Sequence, residues 1–203
     1  MPETPNSEQL LIKKAQQGDL DAFNELVLAY QNRVYTVTYR IMGEPGGAAD
    51  AAQDTFITAY RRIESYRGGN FRAWLLRIAT NTCYDELRRQ KRRPTTSLED
   101  LGGEDMDDGP PLPDDAPTPE EVAQESELNQ AVQNCISGLK DDQRIVLVMA
   151  DVQGYSYQEI ADTLNVQMGT VKSRLSRARL AVRRCLQAVQ ELLPLQYRLK
   201  SDD

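Results

Sequence analysis

Residues 155–184 read YSYQEIADTLNVQMGTVKSRLSRARLAVRR, and this stretch decides how the rest of the chain is understood. Ser156 and Glu159 stand as S-x-x-E, the spacing at which a hydroxyl and a carboxylate each satisfy an orphan backbone N–H at a helix start. The pattern predicts a helix from Tyr157 that buries Ile160, Ala161 and Leu164, with Asn165 ending it. After a short turn through Val166, Gln167 and Met168, Val171, Leu175, Ala178 and Val182 recur at steps of four and three. That stripe must face a core. Two helices across a tight turn, the second one basic, read as a helix-turn-helix.

Charge points the same way. Six basic residues (Lys172, Arg174, Arg177, Arg179, Arg183 and Arg184) fall between Leu164 and Gln190 with no acidic residue among them, in a chain of net charge -7. A solvated helix gains from mixing signs at i,i+4, so a run of unopposed cations points to an anionic partner. Thr170, Ser173, Arg174 and Arg177 share one face that fits a major groove, where arginine and lysine reach guanine edges. The plainer alternative is a basic solvated helix, or one paired with the protein's own acidic segment.

Composition narrows the function classes. With 203 residues the chain has room for one or two domains, and it contains no uninterrupted apolar run of membrane-spanning length. The first residues, MPETPNSEQLLIKK, have neither a basic leader nor an apolar signal segment, so a cytoplasmic protein is expected. Histidine is absent, which removes serine-histidine and cysteine-histidine catalysis and the commonest metal ligand. Cys83, Cys135 and Cys185 are odd in number, far apart and without a CxxC pair, so neither a disulfide framework nor a zinc site is expected. No enzyme activity, catalytic residue, metal or cofactor is predicted. The acid is concentrated: residues 94–127 hold twelve Asp or Glu and no Lys or Arg, leaving 19 acidic against 24 basic residues elsewhere.

Working back toward the N-terminus, Ser7 is expected to cap a short helix and Asp19 a longer one from Leu20 to about Met42. GEPGGAAD reads as a loop, with a third helix beginning near Asp50 and carrying Ala52, Phe56, Ala59, Tyr60 and Ile63. Asp50, Gln53 and Asp54 make an acidic-polar patch on its other side. They either complement the helix dipole or dock a partner. A fourth helix, FRAWLLRIATNTCYDELRRQKRR over residues 71–93, buries Phe71, Trp74, Leu75, Ile78, Ala79 and Leu87, with Trp74 read as core. Ten basic residues against three acidic ones over 61–93 form a second cationic surface, which suggests two contacts on one nucleic acid.

Residues 94–117 are rich in proline, glycine and acid and read as a flexible, self-repelling linker that could span about 80 Å if extended. It is either a solvated spacer or a strap for a basic groove of a partner protein. Thr118 and Asp141 are expected to cap two further helices, and the last helix to run on to Leu193. The expectation is an all-α protein of two small helical domains: residues 1–93, a linker 94–117, a helix-turn-helix domain 118–193 and a tail 194–203.

The segments DAAQDTFITAYRRIESYRGG (50–69) and FRAWLLRIATNTCYDELRRQKRR (71–93), the acidic linker and the helix-turn-helix, in this order, resemble the sigma-70 family of transcription initiation factors. The closest type is the two-domain extracytoplasmic-function (ECF, group 4) sigma factor. That resemblance implies a sigma region 2-like domain and a sigma region 4-like domain, with core RNA polymerase and promoter DNA as partners and an anti-sigma factor as a candidate third. It implies that Asp50, Gln53 and Asp54 bind polymerase. Tyr66, Phe71, Thr80, Asn81 and Arg88 would take the -10 element, Asn81 and Thr80 with the loop 66–71 holding an extruded base. Lys172, Ser173 and Arg177 would contact the -35 element, with Thr170, Arg174 and Arg179 as phosphate or auxiliary contacts. The alternative is a stand-alone helix-turn-helix regulator.

Overall fold

A computed structural model describes residues 5–92 and 119–189, and these contain helices without strands. The order is α1 (Pro5–Gln16), α2 (Leu20–Met42), α3 (Pro45–Arg62), α4 (Phe71–Arg92), α5 (Pro119–Ser137), α6 (Asp141–Leu147), α7 (Tyr157–Leu164) and α8 (Met168–Ala188). A short 3-10 turn, Ile63–Ser65, follows α3, and a π-type turn, Val148–Val152, continues α6.

The first four helices form one half. Asp19 caps α2 by accepting from the Ala22 N–H at 3.0 Å, and Gly43 ends it at φ 86°, a left-handed conformation that glycine adopts without a Cβ penalty. The expected loop after Gly43 is already helix. Glu44 takes the cap position and accepts from the Gly47 N–H, with Pro45 at the first helical residue. A Cβ on Gly47 would lie 2.1 Å from the Glu44 carboxylate, so the glycines that suggested a loop are what admits the cap. The first helix also begins earlier than expected, at Pro5, which places Ser7 inside it.

The buried edge of α3 is made of small residues, Ala48, Ala51, Thr55 and Ala59, which lets α3 lie close to its neighbours. The Thr38 hydroxyl donates across to the Ala48 carbonyl at 2.9 Å. Phe56 and Tyr60 are half-buried and pack against the core from its edge. Tyr66, Phe71 and Trp74 form a ring cluster with centroids 5.3–5.5 Å apart, which Tyr30 joins through Phe71; Trp74 is core-packing, as its spacing suggested.

The C-terminal half is built from α5–α8. Its short helices cannot hold themselves by propensity alone, and local bonds compensate. The Ser156–Glu159 capping box is complete in both directions, and Asn165 ends α7 at φ 52°. Ile160, Val171, Leu175 and Ala178 are buried. Asp141 does not cap α6: Lys140 stands at the cap without a side-chain bond, and Asp141 pairs with Arg144 (2.7 Å) and Lys91 (2.8 Å). Cys135 and Cys185 form a disulfide between α5 and α8, against the sequence expectation. The cysteines are 50 residues apart in sequence, and only the fold brings their Cα atoms to 5.6 Å. The expected cap Thr118, the linker and the end of the last helix beyond 189 lie outside the described residues.

The two halves share a seam. The Gln133 amide, on α5 and 2% exposed, donates to the Tyr39 carbonyl at 3.1 Å while its oxygen accepts from Arg40 at 3.0 Å. Gln153 donates to the Thr80 hydroxyl at 3.1 Å, and the Tyr155 hydroxyl to the Ala73 carbonyl at 2.6 Å. Burial pushes the Tyr155 phenol up to about 12, so it remains a donor at neutral pH. Hydrogen bonds are only part of the seam, since one apolar cluster holds residues of both halves, among them Leu76, Leu87, Ile145 and Met149, and the Gln153 side-chain oxygen is buried among the described residues without a partner, a cost of about 1–3 kcal/mol.

Candidate nucleic-acid interface

The outer face of α8 is the simpler surface. Val171, Leu175 and Ala178 anchor the helix, which turns Lys172 and Arg177 out to solvent. Thr170 and Ser173 are half-buried, and the Ser173 hydroxyl donates to the Thr170 carbonyl at 3.0 Å. The cations are not all unopposed, as the sequence suggested. Arg174 pairs with Asp142 of α6 at 3.0 Å, and Arg179 makes a two-pronged contact with Asp151, at 3.0 and 2.6 Å. That contact raises the Arg179 pKa further. The opposing acids lie outside the helix, where a scan of its own charges could not find them.

Arg174 and Arg179 are thus paired with acids outside α8, while Lys172 and Arg177 are among its exposed cations, with Arg183 and Arg184 further along. Lys172 and Arg177 stand five residues apart, about 140° around the helix axis. Arg177 shares its face with Ser173 and Arg174; Lys172 points toward a flank.

The face of α4 differs. Tyr66 and Phe71 are buried in the ring cluster, and the Tyr66 hydroxyl donates to the Gly69 carbonyl at 2.7 Å. They border a groove against α1 with Gln9, Lys13 and Arg67. Gln16 fixes this loop by donating to the Ile63 and Tyr66 carbonyls at 3.0 and 2.8 Å. Thr80 is fully buried; its hydroxyl donates to the Leu76 carbonyl at 3.0 Å and accepts from Gln153. Asn81 is half-buried in a separate groove of about 440 Å³, with Thr58, Arg62 and Arg88 on one side and Thr163 and Asn165 of α7 on the other. Arg88 is exposed and stacks over Tyr84 at 5.5 Å. The structure thus brings Asn81 and Arg88 to one groove and leaves Tyr66 and Phe71 at another, with Thr80 covered between the halves.

A third surface lies on α3. Asp50, Gln53 and Asp54 are all exposed on one side, facing Arg61 and Arg89 across a polar groove. Beside them runs an apolar groove between α2 and α3, lined by Phe23, Val27, Ala52, Phe56 and Tyr60, with Ile57 40% exposed at its side. Phe56 and Tyr60 pack against the core and also line this groove, of which sequence periodicity gave no sign. No described helix is long and apolar enough to cross a membrane.

Comparison with known proteins covers both halves. Residues 26–93 match Sigma-70 region 2, and residues 129–182 match Sigma-70, region 4. The chain is 38% identical over 178 residues to the ECF RNA polymerase sigma-E factor of Escherichia coli (strain K12), covering 87% of this chain and 92% of that protein. It is 36% identical over 187 residues to the RNA polymerase sigma-H factor of Pseudomonas aeruginosa, covering 91% and 96%. Among solved structures, the sigma factor RpoE in complex with the anti-sigma factor NepR from Bartonella quintana shares its fold, at TM-score 0.58 and 24% identity over 81% of this chain and 96% of that one. CnrH in complex with the cytosolic domain of CnrY gives TM-score 0.55 at 25% identity, covering 90% and 98%.

Proposed function

This chain belongs to the sigma-70 family, in its extracytoplasmic-function branch, and we propose that it is an initiation subunit that directs core RNA polymerase to promoters. In this reading the helix-turn-helix half takes the -35 element and the N-terminal half captures the -10 element and assists its melting. The observation that carries it is the pairing of two cationic helices, α4 and α8, one on each of two halves packed together, with an exposed mixed polar and apolar face on α3.

Arg177 is the side chain placed to read a base edge, because it is exposed on the face that α8 turns outward. Lys172 serves a flanking phosphate. Arg174 and Arg179 hold the helix at its angle and are drawn into phosphate contacts only where phosphate competes with Asp142 and Asp151. On α4, Asn81 offers both an amide donor and an acceptor at the mouth of its groove, the set needed for the edge of an extruded base. Thr80 can join it only when Gln153 withdraws, so promoter capture requires the seam to open. Asp50, Gln53 and Asp54 beside the apolar groove give a mixed polar and apolar patch of the kind that binds protein. A stand-alone regulator would leave that patch without a role. Like relatives solved with anti-sigma factors, this chain is a target for such a protein. The reading assigns no chemical step to the chain, since nucleotide addition belongs to polymerase, and it places the protein in the cytoplasm.

In vitro transcription with core polymerase tests it: the purified chain should start transcripts at defined promoters. The Asp50→Lys, Asp54→Lys double variant should lose core binding in a pull-down while keeping affinity for -35 duplex. If the wild-type chain fails to bind core polymerase, the reading falls.

A further inference from the structure

The function proposed above does not use the Cys135–Cys185 bond. It joins α5 to α8 and encloses α6, α7 and most of the duplex-reading helix in one covalent loop. Two residues before Cys135, Gln133 seats α5 on α2 through the Tyr39 carbonyl and Arg40. α5 therefore touches both halves, and its link to α8 is covalent. A protein that works beside polymerase and DNA shares their thiol-reducing compartment, where lasting disulfides are rare and those present are mostly redox-active. That compartment follows from the proposed function; the bond and its surroundings are independent of it.

The two sulfurs are unequally placed. Cys135 is 5% exposed, whereas Cys185 is half-buried and follows Arg183 and Arg184 in the chain. Partial exposure gives an oxidant access to Cys185. Cys83 is a built-in contrast: it is fully buried in α4, and burial pushes its thiol up to about 12. It is a spectator.

We propose that Cys135 and Cys185 are a reversible thiol–disulfide site, oxidised by hydrogen peroxide and re-opened by a dithiol reductant, whose state sets how firmly the helix-turn-helix is tied to α5. In oxidation the Cys185 thiolate attacks one peroxide oxygen, giving a sulfenic acid and hydroxide, which becomes water on taking the proton released from the thiol. The Cys135 sulfur then attacks the sulfenic sulfur, the S–S bond forms, and the hydroxyl leaves as a second water with the Cys135 proton. Each sulfur loses one electron and the peroxide gains two. Reduction runs by thiol–disulfide exchange through a mixed disulfide at Cys185, returning both protons and moving the disulfide to the reductant.

The test uses the full chain without polymerase or DNA, so its outcome is independent of the transcription reading. The protein is equilibrated in glutathione buffers from fully reduced to fully oxidised, free thiols are trapped with iodoacetamide, and peptides are mapped by mass. Cys135 and Cys185 should gain and lose alkylation together at intermediate glutathione ratios, with Cys83 unchanged throughout. Peroxide should close the bond in the reduced protein, and the thermal midpoint of the oxidised form should stand roughly ten degrees above that of the reduced form. A Cys135→Ser, Cys185→Ser double variant should melt like the reduced wild type whether or not peroxide is added. The proposal is overturned if both thiols stay free in every buffer, if the bond survives the most reducing one, or if the two wild-type forms melt alike. Should the double variant not fold, the wild-type titration alone decides.

Discussion

The outward face of α8 and the corresponding face of α4 carry similar side chains and present them differently. On α8, Lys172 and Arg177 stand exposed on a helix braced from outside by Asp142 and Asp151. On α4, Thr80 is covered by Gln153, Tyr66 and Phe71 are packed in an aromatic cluster, and Asn81 faces the end of α7. Duplex DNA presents its code on an accessible groove, so a rigid outward helix suffices. A single strand with extruded bases must be enclosed, so its pocket has to open first. Under the proposed function, one half is ready for duplex while the other has to open before it takes a strand.

The difference can be broken most severely at the base of α8. Leu175→Ala should cost about 2–5 kcal/mol through the cavity it leaves, melting the helix-turn-helix half in hydrogen exchange while α2–α4 stay protected. Simultaneous loss of protection in both halves would show that the seam makes them one cooperative unit. Next in size is Arg177→Ala, expected to weaken -35 duplex binding by about 1–3 kcal/mol and to relax preference at one position. Equal loss on every sequence would instead mark a phosphate contact. The matching change on α4, Asn81→Ala, should leave duplex affinity intact and lower permanganate reactivity of the -10 strand.

Two smaller changes sharpen the comparison. Gln133→Ala removes the bonds from α5 to Tyr39 and Arg40 and should cost about 1–2 kcal/mol, seen as a larger radius of gyration in solution scattering with helix content unchanged. Ser156→Ala should cost about 1 kcal/mol by removing one side of the capping box, read from the urea midpoint. The smallest effect is acidic. Hydrogen bonds from Ser156 hold the Glu159 carboxyl below its usual range. Its stabilisation is therefore full above the unfolded glutamate value of about 4.3 and fades as pH falls through the lower folded value. A pH series of wild type against Glu159→Gln should converge at the acid end.

Much of this was legible in the chain because it rests on neighbours in sequence. The S-x-x-E box, Asn165 as a stop, Asp19 and Gly43 around α2, and the apolar stripe of α8 all act within one or two turns, and the structure has each in place. Local glycine misled at α3: Gly46 and Gly47 suggested a loop, but the Glu44 cap and Pro45 start a helix there. Spacing put Phe56 and Tyr60 on the side of α3 opposite Asp50, and they do pack against the core, but small residues make the closest contact of α3 and leave the rings lining a groove as well.

By itself the sequence determined an all-helical chain, two cationic helices of which one lies in a helix-turn-helix, and a family. Each of these depends on residues a few positions apart, where 3.6-residue periodicity and capping leave few choices. Only the tertiary structure decided which cations are paired with acids, that Cys135 meets Cys185, and that Thr80 is covered by Gln153. Those are encounters between residues 28, 50 and 73 positions apart. No local periodicity encodes such meetings, because they arise from how whole helices pack.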